Sequence, residues 1–163
     1  MPQYSIMHNT ELCVGCQACE IACKQENNIN VGPRWIRILQ EVSKEAGGKL
    51  RMDFVMAQCR HCAKPLCRDA CPVDAITRRD DGIVLIDAEL CNGCNQCIDA
   101  CPFGAPQSNP ETGMVEMCTM CVHRIDKGLE PACVQTCPYG ALRYGDINTL
   151  IQGKWEQRAR RKD

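Results

Sequence analysis

The sequence predicts an α+β protein made of two small modules, one nested inside the other in chain order. Three observations support this class: the 163 residues include 16 cysteines in four groups, part of the sequence repeats, and large apolar side chains are few. There are only two tryptophans, three tyrosines and two phenylalanines. Such a thin core needs further stabilisation, and metal binding can provide it because the free energy of ligation adds to that of folding.

The cysteines form four groups of four, and none is left over. In chain order the groups are Cys13, Cys16, Cys19 and Cys23; Cys59, Cys62, Cys67 and Cys71; Cys91, Cys94, Cys97 and Cys101; and Cys118, Cys121, Cys133 and Cys137. The first and third groups have the spacing C-x2-C-x2-C-x3-C, which bacterial-type ferredoxins use for 4Fe–4S clusters. Soft thiolate ligands suit such clusters. The sequence therefore predicts four 4Fe–4S clusters as cofactors.

Zinc and disulfide bonds are the alternatives for so many cysteines. Structural zinc usually takes two separated C-x2-C knuckles, and only the fourth group could pass as such a site. The sequence opens without a secretory signal or an Arg-Arg pair, so we expect a reducing compartment, where metal ligands are favoured over disulfides. We predict a cytoplasmic location, or a periplasmic one only if the chain is exported with a partner. No apolar window is long enough to predict a direct membrane span.

Internal repeats relate the cysteine groups to one another. ELCVGCQACEIAC (11–23) matches ELCNGCNQCIDAC (89–101) at a constant offset. A second repeat follows the closing cysteines, as ACPVDAI (70–76), ACPFGAP (100–106) and TCPYGAL (136–142). Because spacing and flanking residues agree together, the repeats indicate duplication of a two-cluster unit.

The fourth cysteine of each group is expected to serve a different cluster from the first three, as in two-cluster ferredoxins. Groups two and three are neighbours in sequence and are predicted to exchange their fourth cysteines, so groups one and four pair by elimination. The expected ligand sets are Cys13, Cys16, Cys19 and Cys137 for cluster A; Cys23, Cys118, Cys121 and Cys133 for cluster B; Cys59, Cys62, Cys67 and Cys101 for cluster C; and Cys71, Cys91, Cys94 and Cys97 for cluster D.

This pairing predicts two nested bacterial-ferredoxin-like modules of short strands and short helices around the four clusters. The predicted boundaries are 1–30 and 106–147 for the outer module, 55–105 for the inner module, 31–54 for a β-hairpin insertion and 148–163 for a basic C-terminal tail. Segments rich in β-formers predict a hairpin from 34–42 and 50–57 and strands at 82–87 and 141–146. We expect short helices at 17–25 and 96–101. The segment 154–163 is expected to be a solvated or frayed tail, with a docking contact as the alternative.

The four groups in this order resemble those of the four-cluster iron–sulfur subunits of molybdenum and tungsten oxidoreductases. These include subunits of the dimethyl sulfoxide reductase, polysulfide reductase and formate dehydrogenase type. The specific marks are C-x2-C-x4-C-x3-CP at 59–72, with Arg60 and His61 between its first two ligands, and C-x2-C-x11-C-x3-CP at 118–138. The resemblance runs from about Cys13 to Gly145, and it implies the nested pairing and four 4Fe–4S clusters.

The resemblance implies an electron-transfer subunit that is not catalytic alone. It is expected to relay single electrons between a molybdenum- or tungsten-pterin catalytic subunit and an external partner, such as a flavin or ferredoxin-type protein. The small subunit of bacterial tungsten aldehyde oxidoreductases resembles the chain in size and cluster content, so we favour an aldehyde oxidoreductase. The short chain and basic tail favour a soluble complex over a membrane anchor.

Two other functions remain open from the sequence. A free-standing polyferredoxin carrier needs the same ligands, whereas a zinc-binding interaction module needs only some of them. Copies of the chain could also stack, because clusters near both ends would extend the row. We expect no nucleic-acid partner.

Basic residues and histidines lie near the cysteine groups. The basic side chains expected to offset negative cluster charge and raise reduction potentials are Lys24, Arg60, Lys64, Arg68, Arg124 and Lys127. The histidines His8, His61 and His123 are expected to be structural or to lie next to the ligands, rather than to be ligands themselves. His61 and His123 each lie within two residues of a ligand, close enough to tune a cluster.

Overall fold

The computed structural model describes residues 3–44 and 47–160, and these ranges contain eight strands and six helices. The strands are β1 (Tyr4–His8), β2 (Ile36–Lys44), β3 (Leu50–Gln58), β4 (Ile76–Arg78), β5 (Val84–Ile86), β6 (Gln107–Ser108), β7 (Val115–Glu116) and β8 (Leu142–Asp146). The helices are α1 (Ala18–Glu26), α2 (Leu66–Asp69), α3 (Gln96–Ala100), α4 (Val122–Ile125), α5 (Ala132–Gln135) and α6 (Ile147–Arg160).

The sheets within the described ranges are two-stranded antiparallel ladders. Three are local, namely β2–β3, β4–β5 and β6–β7, whereas β1 pairs with β8 and joins distant parts of the chain. In the β1–β8 ladder His8 lies opposite Leu142, and in the β4–β5 ladder Ile86 lies opposite Ile76. These two ladders occupy corresponding places in the internal repeats. In each ladder one strand leads into a cysteine loop, and the other strand follows the last cysteine of a group.

The longer predicted elements are present. The hairpin predicted from 34–42 and 50–57 is formed by β2 and β3, with Ile36 opposite Gln58 and Lys44 opposite Leu50. The predicted strands at 82–87 and 141–146 are β5 and β8, and the predicted helices at 17–25 and 96–101 are α1 and α3. The remaining strands and helices are mostly two to five residues long, too short to leave a clear periodic pattern.

Part of the segment predicted as a basic C-terminal tail is helical. Helix α6 spans Ile147–Arg160, directly after β8. The side chain of Asp146 accepts a hydrogen bond from the Asn148 N–H at 2.9 Å, which caps the first turn of the helix. The helix packs against β8 and β1. The last three positions of the predicted tail, 161–163, lie outside the described residues.

A buried carboxylate holds the hairpin against α1. Glu20 is 8% exposed and accepts hydrogen bonds from the Ile38 N–H at 2.6 Å and the Arg34 Nε at 2.9 Å. The contact lies beside Cys19, the third cysteine of its group. The base of the hairpin is therefore fixed to the helix that carries two predicted ligands.

Two apolar clusters form the core, and buried cysteines belong to both. The first gathers Ile6, Ile36, Met120 and Leu142 with cysteines of groups one and four. The second gathers residues of β4, β5 and β7 with cysteines of groups two, three and four. The side chain of Trp35 packs against both clusters, so the modules share a continuous interior.

Each of the four cysteine groups carries a residue with positive φ just before its second cysteine. These residues are Gly15, His61, Gly93 and Met120, with φ values of 71°, 45°, 70° and 58°. At Gly93 a Cβ atom would collide with the carbonyl oxygen of Gly113, and at Gly15 with the ring of Phe54. Glycine is therefore required at these two positions by both conformation and space.

Within the described residues, no helix is both long and apolar enough to cross a membrane.

Candidate iron–sulfur sites

A cavity at the junction of α1, α5 and the hairpin brings the first predicted ligand set together. Cys13, Cys16 and Cys19 line it from the loop and first turn of α1, and Cys137 lines it from the segment after α5. His8 of β1 and Leu142 of β8 form part of the wall. We call this cavity A and its four thiols set A.

A second cavity has the same plan in the inner module. Its thiols belong to Cys71, Cys91, Cys94 and Cys97. The wall residues Ile86 of β5 and Ile76 of β4 are the counterparts of His8 and Leu142 in the internal repeats. We call this cavity D and its thiols set D.

A third cavity, cavity C, lies where α2 meets the segment after α3. It is lined by the thiols of Cys59, Cys62, Cys67 and Cys101, which form set C. The aliphatic wall comes from Val84, Ala105 and Met117, whereas Arg60 and Lys64 line the same cavity. Basic side chains beside these thiols suit a bound group of negative charge.

The remaining four cysteines are all buried and form set B. They are Cys23 at 4%, Cys118 at 5%, Cys121 at 6% and Cys133 at 3% exposure. The Nδ2 atom of Asn27 lies 3.8 Å from the Sγ of Cys23 and 3.8 Å from the Sγ of Cys121. Helix α1 therefore meets the loop of group four at this point, although the two segments are far apart in sequence.

Sets B, C and D meet in the second apolar cluster, which contains Cys118 of set B, Cys59 and Cys67 of set C, and Cys97 of set D. Burial raises the pKa of Cys118, and the next cause is the charge of Cys59 in set C. Burial also raises the pKa of Cys97, to about 11, and the next cause is the charge of Cys67. Set C therefore lies between set B and set D.

Set A lies at the other end of the row. Burial and two cysteines of set B raise the pKa of Cys133, and Cys19 of set A adds to the rise. The order of the sets is thus A, B, C, D. The exposed cysteines Cys16 and Cys94 belong to the two terminal sets, whereas all members of set B are buried.

The residues present fit iron–sulfur clusters better than single metal ions. Three cavities are each lined by four thiols, the ligand set of a cubane cluster. In the described ranges no three Cys, His, Asp or Glu side chains converge on a position that could hold one ion.

Comparisons with known proteins agree with this chemistry. Two models described as 4Fe-4S dicluster domain match residues 12–75 and 50–147. The thiosulfate reductase electron transfer subunit of Salmonella typhi is 36% identical, over 94% of this chain and 81% of its own length. This protein belongs to the 4Fe–4S dicluster family of reductase iron–sulfur subunits.

Two further relatives of this iron–sulfur subunit extend the family. A tetrathionate reductase subunit of Salmonella typhimurium is 39% identical, over 89% of this chain and 58% of its own length. A component of the anaerobic dimethyl sulfoxide reductase of Escherichia coli is 35% identical, over 91% of this chain and 76% of its own length. The iron–sulfur subunit holds four 4Fe–4S clusters and transfers electrons, as its sequence predicted.

Burial controls the acidity of the thiols in this iron–sulfur subunit. Burial raises the pKa of Cys59 to about 12 and that of Cys19 to about 11. At neutral pH such unliganded thiols are protonated, whereas the ligand form is the thiolate. Loading therefore releases protons, and the metal must offset the cost of burying thiolate charge.

Asn27 is a site residue that the sequence analysis missed. Its Nδ2 faces two thiols of set B and donates to the carbonyl oxygen of Cys23 at 2.9 Å. Hydrogen bonds to cluster sulfurs are one means by which a protein sets the reduction potential. Its position four residues after Cys23 is a usable signal, because residues i and i+4 share one face of a helix.

The three histidines play different parts, and the contacts of two are structural. His61 is 1% exposed, its Nδ1 accepts the Val84 N–H at 3.0 Å, and burial lowers its pKa to about 4. His123 Nε2 lies 2.8 Å from the Oε1 of Glu26 on the surface. His8 instead borders cavity A. From the sequence all three histidines were expected to be structural or next to ligands, but only His61 and His123 were expected to tune a cluster.

Most of the basic residues expected to offset cluster charge fall into two groups, those that line a cavity and those that bind other protein groups. Arg60 and Lys64 line cavity C, as that role requires. Lys24, Arg68 and Arg124 bind protein groups instead: Lys24 donates to the Asn30 carbonyl, while Arg68 and Arg124 pair with carboxylates. Only part of the predicted charge compensation is therefore local to a cavity.

Proposed function

We propose that this iron–sulfur subunit relays single electrons along sets A, B, C and D between a molybdenum- or tungsten-pterin catalytic subunit and an external redox partner. The row of four thiol sets, in which set B is buried and each terminal set has one exposed cysteine, carries this proposal. The relatives named as electron transfer or reductase subunits support a catalytic partner of the molybdopterin class. A flavin or ferredoxin-type protein suits the other end of the row.

The proposed ligands are those brought together in the structure. Set A is Cys13, Cys16, Cys19 and Cys137; set B is Cys23, Cys118, Cys121 and Cys133; set C is Cys59, Cys62, Cys67 and Cys101; and set D is Cys71, Cys91, Cys94 and Cys97. The cavities support sets A, C and D, and the shared contacts of Asn27 support set B.

Bound 4Fe–4S clusters supply one-electron redox chemistry. The chain positions adjacent thiol sets close together, and it buries all four thiols of set B away from water. The exchange of fourth cysteines ties neighbouring sets together, because Cys23 lies within α1 and the other fourth cysteines lie just after α2, α3 and α5. A partner can approach either end, where a cysteine is exposed in the loop.

A tungsten aldehyde oxidoreductase is the specific partner we propose, in a cytoplasmic complex. Support for it is the full set of sixteen cysteines, which provides the cluster content expected of the small subunit of such an enzyme. The relatives reported above serve other reductases, so the catalytic substrate is decided by the partner itself. Stacking of copies end to end is compatible with the two exposed terminal loops.

Isolation of the native complex tests the proposed function. We expect a stable stoichiometric partner that contains molybdenum or tungsten, and about sixteen irons per copy of this chain, four for each cluster. Mass spectrometry identifies the partner, and aldehyde oxidation by the complex tests the specific assignment. A chain that purifies alone and reduces several unrelated clients contradicts the subunit role and favours a carrier.

A further inference from the structure

The two terminal cavities are built on one plan, which makes their differences informative. In each, a strand leads into the cysteine loop and contributes a wall residue five positions before the first ligand: His8 before Cys13, and Ile86 before Cys91. Each of these residues is paired in its ladder with the corresponding wall residue, Leu142 or Ile76. The apolar Ile86 fills its place in cavity D, whereas cavity A has an imidazole.

The Nε2 atom of His8 is buried and has no hydrogen-bond partner among the residues that the structure describes. A buried polar nitrogen left without a partner costs about 1–3 kcal/mol, and native proteins rarely tolerate one. The cavity that His8 borders holds four thiols and is otherwise lined mainly by apolar atoms. The missing partner is therefore expected among the atoms that fill cavity A in the loaded protein.

We propose that the Nε2–H of His8 donates a hydrogen bond to a sulfur atom of cluster A, and so distinguishes the two terminal clusters. The inference rests on the ligand set proposed for cluster A. A neutral imidazole carries one N–H, which can occupy either nitrogen, and an acceptor of negative charge facing Nε2 selects the tautomer with the proton there. The bond stabilises the more negative, reduced state and therefore raises the reduction potential of cluster A.

An ordered water is the competing partner for Nε2. His8 also borders an open cleft beneath α6, lined by Asn9, Arg143 and Leu150 among others. A water held at that side would satisfy Nε2 without touching cluster A. The two possibilities differ in one observable, because only a direct bond couples the imidazole to the electron spin of the reduced cluster.

The test compares variants at the two equivalent wall positions. His8→Ile installs the residue that the chain itself uses in cavity D, His8→Gln keeps a side-chain N–H donor, and Ile86→Val is the matched control. Redox titration of the loaded protein, followed by electron paramagnetic resonance, reports each cluster. We expect His8→Ile to lower the reduced-to-oxidised ratio of cluster A about tenfold at fixed potential, which equals about 59 mV for one electron.

His8→Gln is expected to recover part of that shift, and Ile86→Val to leave cluster A unchanged. An unchanged potential in His8→Ile with about sixteen irons bound overturns the proposal, as does a shift confined to another cluster. If His8→Ile loses cluster A, unsubstituted protein labelled with 15N-histidine decides. Nitrogen coupling in the spectrum of cluster A supports the bond, and its absence overturns it.

Unsubstituted protein with only about twelve irons, enough for three clusters, would instead contradict the proposed ligand sets.

Discussion

The four thiols of set B lie in the interior of the protein. Cys133 is 3% exposed and Cys23 is 4% exposed, and burial raises the pKa of both. A thiolate in such a place requires a metal to compensate its charge, so the ligands and the fold depend on each other. At the residue scale, each cysteine therefore has both a structural and a redox role.

Cys101 gives the sharpest test of the exchanged ligands. Cys101→Ala is expected to damage cluster C, because the thiol of Cys101 lines the cavity of Cys59, Cys62 and Cys67. Cluster D should remain, since its cavity is lined by Cys71 in place of Cys101. Iron analysis and electron paramagnetic resonance should show loss of one cluster signal. The matched variant Cys71→Ala should remove the signal of cluster D; loss of cluster D in Cys101→Ala contradicts the pairing.

Asn27 provides a second test at the same scale. Asn27→Leu removes the N–H group that lies 3.8 Å from the thiols of Cys23 and Cys121. We expect a lower reduction potential for cluster B and a loss of about 1 kcal/mol in stability, the usual net value of one hydrogen bond. Redox titration measures the first effect and thermal bleaching of the clusters the second. Asn30→Leu, at an exposed site on the same segment, is the control and should leave cluster B unchanged.

At the element scale, the cysteine loops depend on residues that adopt positive φ. Glycine serves this purpose in groups one and three, whereas His61 and Met120 serve it in groups two and four. Both non-glycine side chains are buried, at 1% and 2% exposure. Packing of these side chains therefore offsets the conformational cost that glycine avoids.

Gly93 and Gly113 allow the effect of space to be separated from that of conformation. Both have φ of 70°, but only at Gly93 does a Cβ atom collide with backbone, namely the carbonyl oxygen of Gly113 itself. Alanine at either position costs about 1–2 kcal/mol for the left-handed conformation. Gly93→Ala should lower the temperature of cluster bleaching further than Gly113→Ala. Equal effects would show that the loop shifts to absorb the collision.

The sequence predicted elements where a pattern of several consecutive residues was available. The hairpin of β2 and β3 and helix α1 left such patterns, but β6 and β7, with two residues each, left none. Helix α6 was missed because its basic composition also suits a solvated tail, and the cap by Asp146 became evident only from the contact with Asn148. The short elements are held in place by the apolar clusters and the paired strands around them, rather than by their own secondary-structure propensity.

At the scale of the whole molecule, the row of four sets agrees with the nested modules that we propose. Ladder β1–β8 joins distant parts of the chain, and Trp35 packs against both apolar clusters. Internal repeats and cysteine spacing were sufficient to propose which thiols belong together. They were insufficient for Asn27 and His8, because these contacts arise only when distant segments meet.

The most direct test of the account is the position of iron in the loaded complex. An electron-density or cryo-electron microscopy map, with iron located by anomalous scattering where crystals allow, should contain four cubes in the order A, B, C, D. Each cube should have three ligands from one cysteine group and the fourth from its partner group, so that Cys137 binds beside Cys13 and Cys101 beside Cys59. A map in which Cys137 instead shares a cube with Cys118, Cys121 and Cys133 would contradict the nested relay.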